Sequence, residues 1–118
     1  MGVQLKRAYE APAETDGYRV LIDRLWPRGL SHEHVRLDEW ARELAPSREL
    51  RQWFGHAPAR FAEFRRRYRV ELEAEAPKLQ ELRARAHDGT LTLVYAARDT
   101  EHNDAVVLAD LLGGGDAS

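Results

Sequence analysis

At 118 residues with a net charge of −2, the chain has the length of one domain, able to bury roughly two-thirds of its unfolded surface. Its charge balance argues against broad, charge-driven binding to nucleic acid, and the lack of cysteine excludes disulfides and thiolate metal sites. Apolar runs only a few residues long exclude a membrane span; with no secretory h-region in Met1–Arg7, a cytoplasmic location is expected.

Val3 to Tyr9 alternates apolar and polar residues and predicts a strand with one covered face. A turn over Pro12–Gly17 leads to Tyr18–Leu25, whose centre Val20-Leu21-Ile22 has the continuous apolarity of a strand buried on both faces. Pro27 and Gly29 stop it. Ser31 is placed to cap a short helical turn through Val35, while Arg36–Trp40 fits either a helical spacing or a short extended piece. Ser47 caps the next helix, whose inner face is Leu50, Trp53 and Phe54 and whose end is Gly55. Phe61, Phe64, Tyr68 and Leu72 make one stripe on a long helix from about Ala59 to Ala76. Pro77 suits the first turn of a following helix carrying Leu79, Leu82 and Ala86. Thr90–Tyr95 reads as a strand, and Asn103–Leu112 as a last helix.

The order is β-β-helices-β-α, an α/β fold: a small single domain over residues 1–112, with about three mostly parallel strands and four to six helices packed on them. Residues 113–118 read as a flexible tail.

Parallel strands place their carboxyl ends on one edge, where open α/β sheets bind ligands. That edge gathers Asp23, Arg24, Trp26 and Arg28 from one strand end with Arg98, Asp99, His102 and Asn103 from the other, beside the start of the last helix. Three guanidinium groups and a helix N-terminus suit phosphate, sulfate or carboxylate. In this reading Arg24, Arg28 and Arg98 hold the anion, Trp26 walls or stacks the ligand, and His102 and Asn103 contribute from the helix start. Asp23 and Asp99 are then candidate catalytic bases or orienters, with burial raising and arginine lowering their pKa. The alternative is a structural ion-pair network, Asp23 with Arg98 and Asp99 with Arg24 or Arg28. A secondary cluster, Ser47, Arg48, Arg51 and His56, has the form of an anion clamp with a proton source, and equally of a capped helix.

His32 and His34 have no third ligand at a telling spacing, so no metal is assigned. Arg65-Arg66-Arg67 and Arg69 are spaced for i, i+4 pairs, Glu63–Arg67, Arg67–Glu71 and Arg69–Glu73. They read as a solvated face rather than a nucleic-acid surface. Trp40, Trp53 and Phe54 offer a different reading, a protein-contact surface of a regulatory module.

The string Asp23-Arg24-Leu25-Trp26-Pro27-Arg28-Gly29, with Ala45-Pro46-Ser47, Leu50-Arg51, Trp53-Phe54, Phe64, Tyr68 and Leu93-Val94-Tyr95-Ala96-Ala97, resembles the YeaO-like family, a bacterial domain of unknown function. The resemblance runs from about Arg19 to Leu112, and the family pattern includes Asp99, His102 and Asn103. Position 98, often lysine in similar sequences, is Arg98 here. The resemblance implies a compact α/β domain in the bacterial cytoplasm and brings no activity or cofactor with it. From the residues, the expected function is a small enzyme or ligand-binding domain for an anionic small molecule, with protein interaction or nucleotide processing as alternatives.

Overall fold

The sheet at the centre of the fold has four parallel strands. In this computed structural model, which describes residues 2–113, they are β1 (Gly2–Arg7), β2 (Tyr18–Leu21), β3 (Glu39–Trp40) and β4 (Thr90–Tyr95). Their spatial order is β1-β4-β2-β3, with Leu5 opposite Leu93, Val20 opposite Leu93 and Leu21 opposite Trp40. The helices are α1 (His32–Val35), α2 (Arg48–Phe54), α3 (Phe61–Leu72), α4 (Ala76–Asp88) and α5 (Asp104–Leu112). No helix among the described residues is long and apolar enough to cross a membrane. The expected flexible tail lies, from position 114 on, outside the described residues.

Alternation along the strands separates two apolar layers. Val20, Ile22, Leu91, Leu93 and Tyr95 join Phe64, Tyr68, Leu82 and Leu108 in the main core beneath α2–α5. Leu21 and Val94 face the other way, against Ala8 and Val35, with Trp26, Leu30, Leu37 and Trp40 around them. The central run Val20-Leu21-Ile22 is thus buried on both faces, each residue wholly inaccessible.

Local chemistry sets most boundaries. Ser31, Ser47 and Asn103 accept at their side chains from the N–H groups of His34, Leu50 and Val106. Gly55 ends α2 at φ 52° with its N–H on the Arg51 carbonyl. Pro77 lies in the first turn of α4, joined to α3 through a single 3-10 turn, Glu73–Glu75.

Several boundaries differ from the sequence reading: β1 ends at Arg7 rather than Tyr9, and α3 at Leu72 rather than near Ala76. β2 stops at Leu21 rather than Leu25: after Ile22 N–H donates to Val94 O at 3.2 Å, the chain bends away from β4. Within Arg36–Trp40, Arg36 ends α1 in a left-handed conformation at φ 52°, and Glu39–Trp40 takes the extended alternative as β3, a fourth strand at the sheet edge.

The second sheet face also carries a polar cluster. Asp16, 1% exposed, accepts from Arg19 at 2.6 Å and from Lys6 at 3.1 Å, and Gln4 bridges Asp16 and Thr92. Burial pushes the Asp16 carboxyl up, but the Ala13 N–H, Lys6 and Arg19 together hold it below its usual value. Arg19 also donates to the Val35 and Arg36 carbonyls, tying the segment after α1 to the sheet.

Candidate functional site

Divergence of β2 from β4 opens a cleft at the carboxyl edge of the sheet. Asp23 marks the split: its Oδ2 accepts the Ala96 N–H at 2.8 Å, replacing the ladder bond that a continuing β2 would make. The segment that follows is fixed through its carbonyls. Trp40 Nε1 donates to Asp23 O at 2.7 Å, Tyr9 Oη to Arg28 O at 3.0 Å and Trp26 Nε1 to Leu30 O at 2.6 Å. Trp26 is further stacked on His32, centroids 3.8 Å apart. On the other side Arg7 donates to the carbonyls of Ala96 and Ala97, fixing the exit of β4. The walls are therefore rigid backbone, and the side chains of Arg24 and Arg28 are left exposed.

The cleft encloses about 860 Å³, within the range of small-molecule sites. Three segments converge on it: Asp23–Arg28, Ala96–Asp99 with Asn103 and Asp104, and the α2 region. Arg48, Arg51, Gln52 and His56 come from that region, so the two clusters that look separate along the chain share one cleft. His56 sits at φ 57°, a left-handed conformation unusual for a residue with a side chain, immediately after the left-handed Gly55.

Five arginines line the cleft, Arg24, Arg28, Arg48, Arg51 and Arg98. None of them makes an ion pair among the described residues. The expected alternative of Asp23–Arg98 and Asp99–Arg24 or Arg28 pairs is therefore absent among them. Asp99 instead accepts from the N–H groups of Glu101 and His102 and from His102 Nδ1 at 2.9 Å. Those N–H groups and then the histidine hold its carboxyl below the usual value. Arg51 carries a buried Nε without a hydrogen-bond partner among the described residues.

The acidic part of the lining is a pair. Asp23 and Asp104, both partly buried, stand within hydrogen-bonding reach of each other. Burial raises Asp23, while the Ala96 N–H, the bond to Asp104 and the charges of Arg51 and His56 only partly offset it. Burial, then the charge of Asp23, pushes Asp104 well above the ordinary carboxylate range. Both shifts run in the direction of a carboxyl pair that resists double ionisation.

Two sequence-predicted residues are not brought into the lining. Ser47 is spent on α2 and on Glu71, donating its hydroxyl at 2.6 Å. His102 rests edge-on against Phe61 and is turned to Asp99. Asn103 lines the cleft, but its amide already accepts from Val106 N–H and donates to Asp99 O. Asp104, Gln52 and Tyr9 were not legible as site residues. An acid in the first turn of a helix is routine, and only the return of α2 over the sheet edge reveals Gln52.

The other candidate surfaces are occupied internally. Phe54 is 5% exposed, and Trp53 has the guanidinium groups of Arg60 and Arg67 over its ring. Arg66 and Arg67 both pair with Glu63, and Arg65 pairs with Asp110; Glu71 serves Ser47 instead of Arg67.

Comparison with known proteins places these residues in a wider set. The model of the family described as "Inactive DUF488-N3 subclade" matches residues 2–115. The chain is 44% identical over 112 residues to uncharacterized protein YeaO of Escherichia coli strain K12, covering 95% of this chain and 97% of that one. It has the same identity and length of match to uncharacterized protein Rv3073c of Mycobacterium tuberculosis strain H37Rv, covering 95% and 94%. No solved structure matches.

Proposed function

The chain belongs to the family described as the inactive DUF488-N3 subclade, and from that premise we propose that it is a bacterial ligand-binding domain that holds an anionic, phosphate- or carboxylate-bearing small molecule in the carboxyl-edge cleft. Binding without turnover agrees with the word "inactive" in the family's description. The cytoplasm, where such metabolites are made, is the proposed setting. Arg24, Arg28, Arg51 and Arg98 are the proposed anion ligands, with Arg48 at the same cleft and Trp26 as a wall. Asp23 has the role of an orienter rather than a base, and Asp99 serves to fix the loop before α5.

The observation that carries this reading is the accumulation of five guanidinium groups around one cleft without an ion pair to any of them among the described residues. Unneutralised like charges repel each other, and a bound anion relieves that repulsion while supplying the acceptors that guanidinium forks require. The partnerless Nε of Arg51 has the same need.

Thermal unfolding in the presence of phosphate, pyrophosphate and citrate tests it at constant ionic strength. Ligand binding to the native state raises the midpoint by mass action, so at least one of these anions is expected to stabilise the protein against a chloride control. The effect should fall in Arg51→Ala and in Arg98→Ala, while Arg66→Ala, on the far ion-paired face, should retain it. Equal midpoints in all anions would refute the proposal.

A further inference from the structure

We infer that the molecule held in this cleft is a sugar phosphate, oriented with its phosphate on the arginines and a vicinal diol on Asp23 and Asp104. This rests on the anion-binding reading above and deepens it.

A simple inorganic anion does not account for the site. The space of about 860 Å³ is many times what phosphate needs, and the lining that includes Arg51 also includes two carboxyl groups in mutual contact. Their residual negative charge repels an anion, so they have no place in a site for phosphate alone. They suit a ligand whose far end donates hydrogen bonds.

That end is neutral rather than cationic. Arg51 lines the same cleft as Asp23 and Asp104, and an ammonium group there would meet its guanidinium as well as the acids. Hydroxyl groups fit, because a carboxyl pair with one shared proton offers one donor and several acceptors at fixed spacing. The Ala96 N–H takes Asp23 Oδ2 at 2.8 Å and leaves acceptor capacity on both groups. Adjacent hydroxyls of a sugar present both donors and acceptors to such a pair.

The aromatic lining argues against a nucleobase as the far end. Phe54 and Phe64 are stacked on each other at 4.4 Å and almost wholly buried, at 5% and 1% exposed. Trp26 is stacked on His32, and the Tyr9 ring lies under the Arg7 guanidinium at 5.0 Å. Among the described residues, no facing aromatic pair is left to sandwich a base.

Calorimetric titration of the full chain tests the inference, using inorganic phosphate, ribose 5-phosphate, glucose 6-phosphate, their 2-deoxy counterparts and AMP. At least one sugar phosphate is expected to bind ten-fold or more tightly than inorganic phosphate, and to lose most of that advantage on 2-deoxygenation. Asp104→Asn should abolish the preference for the diol and leave phosphate affinity within a few-fold, whereas Arg51→Ala should weaken all of them. If phosphate binds in an Arg51-dependent way and no sugar phosphate exceeds it, the inference fails and the anion reading stands. AMP binding more tightly than ribose 5-phosphate would overturn the sugar-phosphate class. Absence of binding by every probe, phosphate included, would overturn the inference and the phosphate form of the anion reading, leaving only its carboxylate form to the citrate measurement.

Discussion

Replacing Asp104 by asparagine should make the protein more stable at neutral pH. Asp104 opens α5 beside Asp23, and burial followed by the Asp23 charge keeps it protonated far above the ordinary carboxylate value of 3.8. The native pair therefore holds a proton that the unfolded chain releases as pH rises past that value. Stability changes with pH in proportion to the difference in bound protons, so one excess native proton lowers it by about 1.4 kcal/mol for each pH unit. The loss begins above the unfolded carboxylate pKa and continues until the native pair itself ionises. Asparagine has the size of the protonated acid and can donate its amide N–H to Asp23, so it keeps the contact without the proton. Urea unfolding of both proteins from pH 4 to pH 8 gives the difference directly. Near pH 4 the two should be nearly equal; above it, the variant should gain with a slope approaching about 1.4 kcal/mol per pH unit. A difference independent of pH, or a variant weaker at pH 7, would refute the shared-proton description.

Other perturbations have distinct signatures. Asp16→Asn breaks the buried pair with Arg19 and should cost about 3–5 kcal/mol in denaturant unfolding at pH 7. Because the Asp16 pKa is depressed, the wild-type advantage should be present above the usual aspartate value and disappear as acidification carries the pH through the lower native one. Tyr68→Phe removes the buried hydroxyl that donates to Leu44 O and should cost about 1–3 kcal/mol, since that carbonyl loses its partner. Gly17→Ala would place a Cβ 2.2 Å from Thr90 O at φ 63°, and should lower the thermal midpoint clearly. Gly89→Ala, where no atom lies within 4 Å of the added carbon, should leave it nearly unchanged.

What was legible in the sequence was what short stretches of chain decide. Val20-Leu21-Ile22 announces a strand buried on two faces, and Ser31 and Ser47 announce caps because their partners lie three residues on. The carboxyl edge follows from parallel pairing alone, which is why Asp23–Gly29 and Arg98–Asn103 can be joined before any coordinates. β3 stays ambiguous in the sequence because two residues on a sheet edge need no apolar pattern, so Arg36–Trp40 fits a helical spacing as well as a short extended piece. The partners of Asp23 escape notice: one is the backbone N–H of Ala96, which has no sequence signature, and the other is a second acid, which charge pairing would not select. The union of Arg48, Arg51 and His56 with the strand-end residues depends on where α2 lies over the sheet. That is a consequence of core packing by Leu50 and Phe54, not of spacing along the chain.

The most direct measurement is a phosphate titration followed by the Nε–H resonances of the arginines in a nitrogen-15-labelled sample. Arg51 and Arg98 are expected to shift in a saturable manner, while Arg66, held by Glu63 on the opposite surface of α3 at 2.6 Å, stays in place. Shifts of equal size and without saturation at Arg51, Arg98 and Arg66 would contradict an anion site in the cleft.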